Sequence, residues 1–147
     1  MNQKKVQKGR RIGAIDYGRK RIGFAVSDEL HITITPKEVF YTEDENYKDK
    51  LINQIKNYDI AALVIGLPLR VDGKETELIL EIREFAESMK TSLNIPIYFQ
   101  DESFSSKYAT DTMIAIGKKK KQRSRKEEKD KIAACIILRD FIDENCV

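Results

Sequence analysis

Carboxylates are the residues of this 147-residue chain whose types and positions are best suited to chemistry. Asp16 ends the short apolar run that begins at Arg11, and Asp101 and Glu102 follow a second run, Ile95 to Phe99. Acids at the C-terminal ends of strands lie where open α/β sheets bind their ligands, although Asp is equally a common turn former. Asp130 is the sharper case. In a helix beginning near Lys126, positions 130, 134, 137 and 141 fall within roughly 40° of one another. Asp130 therefore shares a face with Ala134, Ile137 and Phe141 and projects from the first turn toward the sheet. An ionised carboxylate there is costly unless a compensating charge such as a metal ion stands beside it. The competing reading is a frayed helix start whose acid interacts with the N-terminal dipole. Acids from three distant segments at one sheet edge suit oxygen-preferring Mg²⁺ or Mn²⁺. Such a centre can activate water and stabilise a leaving oxygen in phosphodiester cleavage.

Other chemistries fit less well. His31 is the only histidine, and with Cys135 and Cys146 it offers no zinc spacing. The two cysteines read as reduced thiols of a cytoplasmic protein. A carboxylate pair for glycoside hydrolysis would want an aromatic sugar-stacking surface, and Trp is absent. No apolar run approaches the roughly 20 residues that cross a bilayer, and the polar, basic N-terminus has no signal-peptide core.

The elements that must position these acids can be read from periodicity. A hydrophobic content of 41% in a chain of this length allows a real core. Residues 1–10 read as a flexible basic leader ahead of a single domain over 11–147. Arg11 to Asp16, Arg21 to Ser27 and His31 to Tyr41 read as three strands joined by hairpins, with Gly18 in the first turn. Helical spacing follows over 45–58, a buried strand over Ala61 to Ile65, and an amphipathic helix from Glu75 to Leu93. Ile95 to Phe99 is the last strand, with Tyr98 and Phe99 taken as sheet core. Ser105 or Ser106 can cap a helix reaching Ile116, with Gly117 as its terminator. The expected fold is α/β, a five-stranded mixed sheet of three antiparallel strands followed by parallel ones, flanked by helices.

Basic residues are nearly balanced by acidic ones, 27 against 24, so their distribution matters more than the net charge of +3. Lys118, Lys119, Lys120, Lys121, Arg123, Arg125 and Lys126 place seven cations in nine residues beside the helix that carries Asp130. This tract is a candidate grip on a nucleic-acid backbone, or else a solvated loop. Arg19, Lys20 and Arg21 flank Asp16 and are candidate phosphate contacts, or ordinary turn cations. Gly66, Leu67 and Pro68 end a buried strand at the same edge and can shape the floor of a cleft.

Taken together, these segments resemble the YqgF (RuvX-like) family. The resemblance rests on Ile15-Asp16-Tyr17-Gly18-Arg19-Lys20-Arg21-Ile22-Gly23 running to Asp28, and on Val64 to Leu69 followed by Asp72-Gly73. It continues through Asp101-Glu102-Ser103-Phe104-Ser105-Ser106 and Asp130-Lys131-Ile132-Ala133-Ala134 running to Phe141. It implies a ribonuclease H-like fold and a nuclease that trims the 5′ end of pre-16S ribosomal RNA. Asp16, Glu102 and Asp130 would then be both the catalytic and the Mg²⁺- or Mn²⁺-binding residues. Kinship with Holliday-junction resolvases keeps a DNA junction open as substrate, and a non-catalytic RNA-binding assembly factor is a further alternative. Actin-type and sugar-kinase ATPases also carry an Asp-x-Gly loop, but they close two domains over ATP and this chain supplies one. The family usually has Arg after the Asp-Glu pair, where this chain has Ser103.

Overall fold

The computed structural model describes residues 9–68, 76–102 and 125–145, with 125 and 126 described by their backbone alone. Strand β1 (Arg11–Tyr17) turns back into β2 (Arg21–Ser27), and the two pair antiparallel with Asp16 opposite Gly23 and Tyr17 opposite Ile22. On its other side β1 pairs in parallel with β5 (Ile60–Leu67), which pairs in parallel with β6 (Ile97–Asp101). The far edge is formed by β3 (Ile34–Pro36) and β4 (Phe40–Tyr41), both antiparallel to β2, giving the order β3-β2-β1-β5-β6 with β4 beside β3 on β2.

The single third strand expected over 31–41 is thus two short pieces. Asp28 Oδ1 accepts the backbone N–H groups of Ile32 and Thr33, and His31 has φ of 60°, so residues 28–33 form a turn. Pro36 lacks a donor for the ladder. Between the pairs Ala25–Pro36 and Ile22–Phe40, residues 37–39 face only Gly23 and Phe24, a bulge that divides the edge.

Alternation along the strands sorts side chains between two layers. On one face Ile15, Ile22, Phe24, Leu63 and Ile65 pack with helices α1 (Tyr47–Asn57) and α2 (Glu77–Leu93). Thr76 caps α2 by accepting the N–H of Ile79, and Asn94 ends it in the left-handed region at φ 55°. The other face is covered by one long helix, α3 (Arg125–Asn145). Ile12, Ala14, Ala25 and Val64 meet Ala134, Ile137, Leu138 and Phe141 there, and Tyr98 stacks on Phe141 with ring centroids 5.4 Å apart. The apolar stripe read from the sequence is the buried face of this helix.

Phe99 differs from the expected core role. It lies on the α2 side of the edge strand β6, 38% exposed, with the Arg83 guanidinium over its ring. Gly9 and Arg10 are already tied to the body: Gly9 N–H donates to Glu29, and Arg10 pairs with Asp59 at 2.9 Å. The helix expected over 105–116 and its terminator Gly117 lie outside the described residues.

Small residues let α3 settle closely on the sheet. A Cβ at position 23 would collide with the backbone carbonyl of Asp130, and one at position 66 would come within 2.6 Å of Ile137 Cδ1. Gly23→Ala should therefore lift α3 from the sheet and cost about 3 kcal/mol, lowering Tm by roughly 6–12 °C. Thermal unfolding followed by circular dichroism checks this; an unchanged Tm would contradict the close approach.

Candidate active site

The face under α3 carries the polar residues of interest at its C-terminal edge. Asp16 continues the series Ile12, Ala14 along β1, so its side chain leaves the sheet toward α3. Glu102 continues the series Tyr98, Gln100 along β6. Its N–H donates to the Leu67 carbonyl at 2.9 Å, so the parallel ladder extends one residue beyond the strand. Asp101 falls on the opposite side and is exposed. Asp130 comes down from α3 onto Gly23, the register partner of Asp16. It is the sixth residue of α3 rather than part of its first turn, so the helix dipole does not account for its position.

Asp16 and Glu102, both partly buried, are hydrogen-bonded carboxyl to carboxyl. Two carboxylates cannot share such a bond unless one keeps a proton. Burial first, and the negative charge of Asp130 second, push Asp16 above the usual carboxylate range, against the bond from Glu102. Burial and the charge of Asp16 push Glu102 up as well. Gly66 makes room for this pair, since a Cβ there would come within 3.0 Å of Glu102 Oε1.

Asp130 has a different neighbour. Arg21 projects from the start of β2 on the same face and donates from Nε to Asp130 Oδ2 at 2.9 Å; the two side chains are 24% and 19% exposed. Burial raises the Asp130 carboxyl, while the Arg21 hydrogen bond and charge oppose the rise. The charge of Lys129 bears on both Asp16 and Asp130. The structure thus brings Asp16 and Glu102 into contact and places Asp130 alongside them, turned to Arg21. Among the described residues no group of three or more acids, histidines or cysteines is gathered closely enough to hold an ion as it stands. The three acids are nonetheless hard oxygen donors, the set that suits Mg²⁺ or Mn²⁺.

Of the other sequence candidates, Arg19 forms a fork on Glu81 of α2, with Nε 3.1 Å from each carboxylate oxygen and Nη2 3.0 Å from Oε2. Lys20 is exposed in the turn. Lys118, Lys119, Lys120, Lys121 and Arg123 lie outside the described residues, and so does the side chain of Arg125. The Arg21–Asp130 pair escapes sequence reasoning. Its only signal is parity: Arg21, Gly23 and Ala25 alternate with the apolar series Ile22, Phe24, Val26.

A family model described as RuvX: Holliday junction resolvase matches residues 10–144. The chain belongs to this family. The blocks quoted from the sequence all fall within that span. A protein of Sulfurihydrogenibium sp. named "Putative pre-16S rRNA nuclease" is 42% identical over 135 residues, 90% of this chain and 90% of its own. The relative of the same name from Dictyoglomus turgidum is 38% identical over 134 residues, 90% of this chain and 94% of its own. Among solved structures, RuvC of T. thermophilus in complex with a Holliday junction substrate aligns with a TM-score of 0.55 and 13% identity. The alignment covers 92% of this chain and 95% of that one. At that identity the likeness concerns the fold alone, which is ribonuclease H-like, as the family resemblance implied.

The shared proton has a consequence for stability. In the unfolded chain Asp16 and Glu102 ionise near pH 4, whereas the folded pair holds protons to higher pH. The folded state therefore binds more protons in the interval between, and metal-free stability falls as pH rises from about 4 through neutrality. Asp16→Asn removes the buried charge and should stabilise the metal-free protein by about 2 kcal/mol at pH 8, with the difference vanishing near pH 4. Urea unfolding in EDTA at the two pH values reads this directly. A variant less stable than wild type at pH 8 would contradict the shared proton.

Proposed function

We propose that the protein is a metal-dependent nuclease that hydrolyses phosphodiester bonds and processes the 5′ end of pre-16S ribosomal RNA in the cytoplasm. The observation that carries this reading is the meeting of Asp16 and Glu102 at the sheet edge, with Asp130 of α3 alongside them. The substrate is taken from the name of the relatives, which match over nine-tenths of the chain.

Asp16, Glu102 and Asp130 would hold Mg²⁺ or Mn²⁺. Bound there, the ion would polarise the phosphate and lower the pKa of an attacking water. The chain's own residues supply the rest. To act as ligands Asp16 and Glu102 would have to surrender their shared proton, so rising pH would favour loading of the site. The sheet edge fixes their directions through backbone ladders, which keeps the positions of the donors from being lost to solvent motion. Arg19 ties the β1–β2 turn to α2 through Glu81, leaving Lys20 facing solvent beside the site. Lys118 to Lys121, Arg123 and Arg125 would track the RNA backbone, releasing its counterions.

A four-way DNA junction is the second substrate to consider, favoured by the description of the family model and by the fold shared with RuvC. A non-catalytic RNA-binding factor is less well supported, because clustered acids repel phosphate unless a cation stands between them.

Incubating the purified protein with a pre-16S precursor and with a four-way junction, with and without Mn²⁺, tests the reading. Cleavage of the precursor should require the ion. Asp16→Asn, Glu102→Gln and Asp130→Asn should each reduce it beyond the roughly 10–100-fold typical of losing a supporting partner. Cleavage at the wild-type rate in all three variants would refute the site. Charge reversal across 118–125 should lower the salt slope of RNA binding by about one for each phosphate that is no longer neutralised; an unchanged slope would remove the tract from the interface.

A further inference from the structure

Arg21 occupies an unusual position for a basic residue at an acidic centre. It stands on the α3 face of β2, partly buried, and its Nε is committed to Asp130 Oδ2. Arginine carries five N–H donors in a planar fork. Among the described residues its other guanidinium donors have no partner, while the side chain keeps 24% of its surface. The pair is therefore half of a familiar recognition geometry, with one edge on a carboxylate and the other edge open to an anion.

The same contact affects cation binding. A divalent ion approaching Asp130 must compete with a guanidinium already bonded to that carboxylate, and the two cations repel across a partly buried space where screening is weak. Asp130 cannot yield by moving its backbone, because its carbonyl rests on Gly23. Side-chain rotation is what remains.

We propose that Arg21 is a positioning residue that holds Asp130 in the free protein and releases it when a nucleic-acid phosphate takes the guanidinium. The inference rests on the reading of Asp16, Glu102 and Asp130 as the metal centre, and adds an order of assembly to it. The phosphate, presented by RNA, pairs with the arginine fork; Asp130 then turns to the cation. No covalent bond changes in this exchange. Cation and nucleic acid thereby favour each other's binding, and linkage requires the effect to be equal in both directions.

Two measurements test the hand-over without relying on cleavage. In the first, Mn²⁺ is titrated calorimetrically into the protein without nucleic acid. Arg21→Gln should bind the ion about 5–10-fold more tightly than wild type, within the usual range of coupled sites. Arg21→Lys, which keeps the charge but loses the fork, should fall between, and carries the same test if the glutamine variant does not fold. In the second, binding of a single-stranded RNA oligonucleotide is measured in EDTA by fluorescence anisotropy. Asp130→Asn should tighten binding several-fold by freeing the guanidinium, and the gain should shrink sharply when Arg21→Gln is already present.

Equal or weaker Mn²⁺ binding by Arg21→Gln, or an Asp130→Asn gain of the same size in both backgrounds, would overturn the hand-over. Loss of Mn²⁺ binding in Glu102→Gln supports the centre on which it depends. Retention there would overturn the metal reading, and the hand-over with it. The RNA cycle in EDTA contains no metal, so failure of the hand-over and failure of the centre give different patterns.

Discussion

The backbone carbonyl of Asp130 rests on a residue that has no side chain. That close approach, between the second turn of α3 and Gly23 of β2, sets the height of the helix above the sheet. The approach of Asp130 to the sheet edge follows from it. Asp16 is the register partner of Gly23, so an acid lowered onto position 23 arrives beside the acid of the central strand. The same closeness accounts for the alanines at 14, 25 and 134, which let the two layers approach without a void. On the other face, where no acids have to meet, larger residues such as Phe24 and Ile65 fill the space under α1 and α2.

Electrostatics at this edge is a compromise between burial and use. Three carboxylates in partly enclosed surroundings repel one another, and the metal-free protein relieves this in two ways. Asp16 and Glu102 retain a proton between them, and Asp130 takes a guanidinium. Both arrangements are reversible, since a proton can leave and a guanidinium can change partners. An edge built in this manner lowers fold stability, which the two apolar cores on either side of the sheet offset.

Much of this can be read from spacing alone. Asp16 and Glu102 stand at strand ends because apolar runs stop there, and helical periodicity puts Asp130 on the buried face of α3. Local rules govern such features. The edge of the sheet is less legible: the run from His31 to Tyr41 has strand composition, but Pro36, the positive φ of His31 and the bulge at 37–39 divide it. Phe99 has the look of core because aromatic residues in strands usually are, and only the position of β6 at the sheet edge leaves it exposed. The partnership of Arg21 with Asp130 spans 109 residues. Nothing in either segment names the other, so only the packing of α3 across β2 reveals it.

The bond from the Glu102 amide to Leu67 has a mechanical consequence. It ties the main chain of Glu102 to the neighbouring strand, so the sheet itself sets the point from which the carboxylate springs. The starting point of this candidate ligand is therefore inherited from the pairing of β5 with β6.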